Sequence, residues 1–486
     1  MCGASGYCHS NLARSDALTT ENLTAGPLAS DGPLVGRARE LQALQESFAD
    51  ARRGSGGVHL VLGDPGVGKT RLASALAEHA KAAGATVIWT RGWGRAAPGY
   101  WPWVEVVRNL CRGVDGTVLR RELGAGADEL LRLAPELAER LPGARRPPAA
   151  AGGAESSEIA RFALFDALVA LLRARSAEAP VVVLIDDLQA VDEGSLLALD
   201  FVSRMLRDAA VLLVVTMHER TPRVAPGAQV ALTNIGRAGR RLVLSGLTRE
   251  AVGELIALAS GSPPPPSLTA TVHGVTEGNP FFTREIVALL LAEGRLDDPP
   301  DELPLPDGVR ETICRRLEPL GPEALQTLEL AAVIGRTFHL PALEHASSLE
   351  RDCVLAALDA AAELGLVVEV PGALGRYRFG HVLIVETLVA GMPAAARMNA
   401  HRAVGKALEH VYRGAIEEHL PELAHHFLSA APRGNLETAV AYAERAARRA
   451  LADLAYEQAA ELFARALEAL EVLAPDVPRR AALLLG

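Results

Sequence analysis

The sequence predicts an α/β protein, with a doubly wound parallel sheet in its first half and helices through most of its second. Three observations carry this. The apolar run Val58-His59-Leu60-Val61-Leu62 reads as a buried strand and leads through Gly63-Asp64-Pro65-Gly66-Val67-Gly68-Lys69-Thr70 into Arg71, with Leu72, Ala75, Leu76 and Ala80 following at helical spacing. Further apolar runs at 86–89, 181–185 and 211–216 alternate with helical stretches, which is how a parallel sheet is built. Apolar residues make up 49% of the 486 residues and aromatics only 4%, so the remainder, rich in Ala and Leu, favours helices. At ~100–200 residues per domain the length implies three or four domains.

Residues 63–70 fit G-x-x-x-x-G-K-T, placed between a strand and a helix. Glycines let successive backbone N–H groups curl around a phosphate, and the helix N-terminus adds the positive end of its dipole. In this P-loop NTPase pattern Lys69 reaches the β- and γ-phosphates and the Thr70 hydroxyl holds Mg²⁺. Lys69 is one of three lysines in the chain, with Lys81 and Lys406, so a chance match in a sequence that otherwise uses arginine is improbable.

The other elements follow in order. Residues 1–32 are polar, rich in small residues and without period, and read as a disordered lead. Leu34-Val35-Gly36-Arg37 opens a helix with Leu41, Leu44 and Phe48, and Thr86-Val87-Ile88-Trp89 reads as a second strand. Trp101 and Trp103, among prolines after Tyr100, are expected to pack a helix end rather than touch a ligand. Residues 143–157 read as a linker, and a helix over 159–175 leads into Val181-Val182-Val183-Leu184-Ile185-Asp186-Asp187. A central strand ending in two carboxylates, downstream of a phosphate loop, assigns Asp186 to Mg²⁺ and Asp187 to the attacking water. Residues 211–216 form another strand, which puts Thr216 or His218 where a γ-phosphate is sensed; a loop histidine without a role is the competing reading of His218.

Helices are expected over 247–259 and 283–293, the second preceded by Gly278-Asn279-Pro280-Phe281-Phe282, and residues 297–306 read as an acidic, proline-rich hinge. Three or four short helices over 308–391 with a hairpin at 366–370 and 377–380 read as a winged-helix-like module. Residues 439–470 hold two amphipathic helices with small residues and a tyrosine at their junction, one tetratricopeptide-like unit. His425 and His426, adjacent on a helix, are expected at its surface rather than as metal ligands. The resulting division is a lead over 1–32, an ATPase domain over 33–240, a helical lid over 241–300, a winged-helix-like module over 301–398 and tetratricopeptide-like repeats over 399–486. A lone repeat cannot bury its face, so the chain reads as ending within an array.

The net charge of −10 argues against broad nucleic-acid binding by these residues. Five cysteines without a C-x-x-C pair read as reduced thiols, and no apolar run approaches a membrane span, so the expected location is the cytoplasm.

From Leu34 to about Leu470 the order of motifs resembles the large ATP-binding regulators of the LuxR family, whose ATPase is of the STAND class and similar to origin-recognition AAA domains. The match rests on Leu34-Val35-Gly36-Arg37, the phosphate loop, Tyr100-Trp101-Pro102-Trp103, Asp186-Asp187-Leu188 with Asp192, Gly278-Asn279-Pro280-Phe281-Phe282, Tyr377-Arg378-Phe379 with His381, and Leu423-Ala424-His425-His426-Phe427. The resemblance implies an ATP-driven switch that ADP or an inhibitor keeps closed. An inducer, a small molecule or a protein, is sensed by the repeats and allows ATP exchange and self-association. It also implies that Gly36 and Arg37 lie near the adenine, that Pro280 presses on the nucleotide from the lid, and that His381 touches a phosphate. DNA would be reached only through an effector domain that these residues do not include. Gln189 and Ala190 replace the family's His and Trp, and His218 replaces its sensing arginine, with Arg220 two residues on. These departures leave nucleotide binding intact and imply slow turnover. The competing readings are a nucleotide-binding scaffold without turnover and an ATPase region like that of soluble adenylyl cyclases, for which the residues before Leu34 are too few to form a cyclase domain.

Overall fold

The computed structural model describes residues 33–92, 97–145, 147, 154–218, 226–292, 313–314, 317–370, 372–431, 436–472 and 480. The expected lead over 1–32, the hinge over 297–306 and Arg220 lie outside them, as do residues 146 and 148–153 of the expected linker over 143–157.

Five parallel strands form the first sheet: β1 (Gly57–Gly63), β2 (Thr86–Arg91), β3 (Val181–Asp186), β4 (Val211–Met217) and β5 (Arg240–Leu244), in the order β2-β3-β4-β1-β5. The strands are continuous Val, Ile and Leu runs because both faces are covered. Their alternation divides them cleanly: Val183, Ile185, Leu213 and Val215 enter one core, Val182, Leu184, Leu212 and Val214 the other. The helices Ala38–Arg52 and Lys69–Ala82 close the second core with Leu44, Phe48, Leu72 and Leu76. The sheet runs past the expected domain boundary at 240. The sequence reading gave no strand there because Arg240, Arg241 and Val243 face solvent and only Leu244 is buried, as suits an edge.

The order of β1, β3 and β4 puts the phosphate loop, Asp186 and Met217 along one edge of the sheet, at the carboxyl ends of the strands. Over that edge lie the lid helices Arg249–Ser260, Pro266–Thr276 and Pro280–Ala292, which hold a small core of their own around Val252, Leu268 and Val287. The last begins at Pro280, three residues earlier than expected, because proline is well suited to a first helical turn.

A three-stranded antiparallel sheet follows, β6 (Thr337–His339), β7 (Val367–Glu369) and β8 (Arg376–Phe379), in the order β6-β8-β7. The expected hairpin is β7–β8, and β6 adds a third strand through Thr337↔Arg378 and Phe338↔Tyr377. The rings of Phe338 and Phe379 pack with centroids 5.5 Å apart in its core.

The first core of the large sheet is continuous with this module and with the C-terminal helices. The helices Leu436–Ala452 and Tyr456–Val472 form the expected antiparallel pair, and their turn sits on the ATPase domain. Tyr100 donates to the Leu454 carbonyl (3.4 Å), Gln458 Nε2 to the Ala97 carbonyl (2.6 Å), and Arg161 pairs with Glu457 (3.0 Å). Only glycine fits at position 99, where a Cβ would come within 2.3 Å of Ala455 Cβ. His426 corrects the surface expectation: it is buried, with its Nδ1 3.0 Å from that of His401 on the helix Ala394–Val411.

Trp103 is fully buried under the helix Glu193–Met205, and its Nε1 donates to the Ser195 carbonyl at 3.1 Å. Trp103→Ala is expected to lower unfolding free energy by about 3–5 kcal/mol through the cavity it leaves. Urea unfolding should show this as a lower midpoint at unchanged slope. A shift below about 1 kcal/mol would contradict the packing role.

Candidate functional site

At the carboxyl edge of the large sheet lies an open cavity holding about 1300 Å³ of space, solvent-open volume included. Three parts of the chain line it: the phosphate loop with the preceding Leu34–Arg37 segment, the lid through Leu255, Pro280, Phe281 and Arg284, and the three-stranded module through Arg336, Arg378 and His381.

The phosphate loop owes its shape to Gly66 (φ 81°) and Gly68 (φ 104°), in a left-handed region that side chains disfavour. At Gly66 a Cβ would also come within 2.8 Å of Phe281 Cβ. Asn279 Nδ2 donates to the Pro65 carbonyl at 3.0 Å, so the lid is fastened to the loop where the phosphates would lie. Lys69, buried at the start of its helix, donates to the carbonyls of Gly63 (2.9 Å) and Asp64 (3.0 Å). Burial lowers its pKa, and Asp187, Asp186 and Asp64 act against that shift.

Asp186 is almost fully buried behind the cavity wall. It accepts from Thr70 Oγ1 at 3.0 and 3.1 Å and from Thr216 Oγ1 at 2.6 Å, and pairs with Arg91 at 3.3 Å. The Thr70 hydroxyl beside a carboxylate is a hard-oxygen pair of the kind that suits Mg²⁺, an ion that takes few protein ligands and relies on waters and phosphates for the rest. Asp187 adopts a left-handed conformation (φ 60°) and its N–H donates to Thr216 Oγ1 (3.0 Å). Gln189, which stands where the resembled family has histidine, ties two site residues together. Its Nε2 donates to Asp187 Oδ1 (3.2 Å) and its Oε1 accepts from the His218 N–H (3.3 Å).

Of the residues singled out from sequence, Pro65, Gly66, Val67, Gly68, Lys69, Thr70, Arg71, Asp187, His218, Pro280 and His381 line the cavity together with Arg37. Gly36, Gly63, Asp64 and Asp186 stand outside that lining. Gly36 makes a turn (φ 65°) packed on Ala251, and Gly63 and Asp64 offer their carbonyls to Lys69. The Arg37 guanidinium is spent on structure, donating to the carbonyls of Val67 (3.1 Å) and Ser245 (2.5 Å) and to Glu40 (3.0 Å).

His381 stacks on Phe281 with ring centroids 4.0 Å apart and accepts the Leu383 N–H on Nδ1 (3.2 Å). A neutral ring that accepts on Nδ1 carries its proton on Nε2, so it has one donor left. Its pKa is pushed down to about 3 by burial first, then by Arg336, Lys69 and His218.

Sequence reasoning assigned no role to Arg284, Arg336 or Arg378. Six cationic side chains and one carboxylate, Asp187, line the cavity among the described residues, in a chain of net charge −10. Such a concentration of positive charge selects an anionic ligand.

Comparison with known proteins agrees with this geometry. Residues 33–215 match the family model described as the AAA ATPase domain. The chain is 25% identical over 420 residues to an uncharacterized protein of Rhizobium meliloti, covering 80% of this chain and 39% of that protein's length. It is similar to the crystal structure of a signal transduction ATPase with numerous domains (STAND) that has a tetratricopeptide repeat sensor, from Pyrococcus horikoshii, with TM-score 0.45 and 15% identity over 93% of this chain and 66% of that one. It is also similar to Cdc6p from Pyrobaculum aerophilum, with TM-score 0.37 and 15% identity over 79% of this chain and 97% of that one. The fold is therefore that of a P-loop AAA domain with a helical C-terminal region.

Neutral burial of His381 has a consequence for stability. Its folded pKa lies below the ordinary 6.5, so the unfolded chain binds the additional proton. The stability this contributes is complete above about pH 6.5 and is lost as pH falls from there toward 3. Urea unfolding at pH 7.5 and 5.0 should show the wild type losing about 2 kcal/mol more across that interval than His381→Gln, from this group alone. Identical losses would show that His381 is not held neutral.

Proposed function

We propose that this chain is an ATP-driven signalling switch of the LuxR-regulator type, a slow ATPase whose nucleotide state controls self-association. The observation that carries the reading is that the phosphate loop, the lid and the three-stranded module meet at one cationic cavity. A nucleotide bound there touches all three, so its binding energy bears on their arrangement.

In this reading the N–H groups of the loop and the dipole of the helix Lys69–Ala82 hold the phosphates. Lys69 exchanges its two carbonyl partners for phosphate oxygens. Thr70 and Asp186 hold Mg²⁺, which neutralises phosphate charge when bound. Asp187 orients the attacking water, Gln189 positions Asp187, and His218 stands at the far end of that link. His381 offers Nε2–H to a phosphate, Pro280 closes over the nucleotide, and Pro33, Leu34 and Val35 form an apolar wall for the base. The C-terminal helices, seated on Ala97 and Tyr100, carry the inducer signal to the ATPase domain. Transcriptional output would require a DNA-binding effector domain. One observation favours a scaffold with negligible turnover instead: Arg91 already pairs with Asp186, so a metal ion must compete with a guanidinium for that carboxylate.

Lys69→Ala is expected to weaken Mg·ATP binding by roughly 10–100-fold, since hydrogen bonds to charged groups contribute about 1.5–3 kcal/mol. Calorimetric titration measures this, and unchanged affinity would refute the phosphate-loop assignment. Asp187→Asn should bind ATP within about threefold of wild type and release phosphate about 10²–10⁴-fold more slowly. Undiminished release would assign the water elsewhere, and wild-type binding with no phosphate release would favour the scaffold.

A further inference from the structure

We propose that Arg336 and Arg378 bind the terminal phosphate of the nucleotide and thereby tie the three-stranded module to the ATPase domain when a triphosphate is present. The inference rests on the nucleotide site proposed above and adds a residue pair that distinguishes ATP from ADP.

Arg378 stands on β8 and Arg336 immediately before β6, its neighbour in the sheet. The Arg336 carbonyl accepts the Phe379 N–H at 2.9 Å, and Arg378 is paired with Thr337 in the β6–β8 ladder. They are therefore carried as a unit by the core around Phe338 and Phe379. Both line the same cavity as the phosphate loop. The Nε atoms of both are buried and donate to nothing among the described residues. A buried guanidinium donor left unspent costs stability unless a ligand takes it.

Charge points the same way. Arg336 is pushed down to about 10, by burial first and then by Arg91, with Asp186 and Asp187 acting in the opposite sense. Arg378 is lowered by burial and by the same Arg91. Arg336 thus sits within electrostatic reach of the two strand-end carboxylates, and Arg378 within reach of Arg91, which pairs with Asp186. A nucleotide held by the phosphate loop, with its base against Pro33, Leu34 and Val35 as proposed above, directs its last phosphate toward the strand-end carboxylates, within whose electrostatic reach Arg336 lies. Planar guanidinium forks match phosphate oxygens two at a time, which a single neutral histidine such as His381 does not. ADP leaves the pair unneutralised, so the module is held less firmly with ADP than with ATP. This order is the reverse of the one the family resemblance implies, in which ADP keeps the module closed.

The test is calorimetric titration of the full chain with Mg·ATP, Mg·ADP and inorganic phosphate, in wild type and in Arg336→Gln/Arg378→Gln. Wild type is expected to bind ATP at least about tenfold more tightly than ADP. The double variant should lose about 10–100-fold in ATP affinity and less than about threefold for ADP, which removes the preference. Arg336→Lys/Arg378→Lys, which keeps the charge and loses the fork, should give an intermediate ratio. Equal wild-type affinities for ATP and ADP overturn the proposal without any variant, and so does parallel weakening of both nucleotides in the double variant. Inorganic phosphate that binds wild type as tightly as ATP does overturns it too, since the pair would then be a free-anion site. Absence of nucleotide binding by wild type overturns the site itself and this inference with it, whereas ADP binding with no ATP preference leaves the site standing and removes only the arginine pair.

Discussion

Positive charge concentrated at a three-way junction is the constraint on which this structure depends. The phosphate loop, the lid and the three-stranded module each bring cations to one cavity, and Asp187 is the lone carboxylate among its described lining residues. Burial first, and then nearby cations, lower the pKa values of Arg336, Arg378 and Arg284: Arg91 acts on Arg336 and Arg378, and Arg71 on Arg284. Like charges are tolerated at this distance where an anion completes the site. In the proposed function a phosphate completes this arrangement and acts as a structural part of it.

Apolar packing transmits what the charge begins. One face of the large sheet shares a continuous core with the module and the C-terminal helices, so these parts do not move independently without exposing apolar surface. The lid holds a small core of its own and is fastened to the phosphate loop by Asn279 and by the close approach of Phe281 to Gly66. The helical pair reaches the opposite side of the ATPase domain through Leu454, Glu457 and Gln458. Tyr100, which receives that contact, packs against Gly194, four residues past the short turn Leu188–Ala190 that follows Asp187. Contacts from the C-terminal helices, continued by the chain between Gly194 and Asp187, thus reach the strand-end carboxylates.

Legibility in the sequence followed the range of the interactions. The phosphate loop was plain because its glycines, Lys69 and Thr70 act within eight residues, and the central strands because burial on both faces leaves unbroken apolar runs. The packing of Trp101 and Trp103 was legible from residue type alone. Strand β5 was not, because an edge strand with exposed arginines carries no apolar run. Neither was the burial of His426, which depends on His401 from another helix. Arg336 and Arg378 gave no local signal as phosphate ligands. They are more than 260 residues from Lys69, and only the docking of the small sheet brings them to the cavity.

The claim that phosphate joins three separate parts is tested most directly by hydrogen exchange of the full chain with and without Mg·ATP. The account predicts slower exchange together in residues 63–71, 186–190, 278–285 and 376–383 once nucleotide is bound. Protection confined to 63–71 and 186–190, with the lid and module segments unchanged, would contradict it.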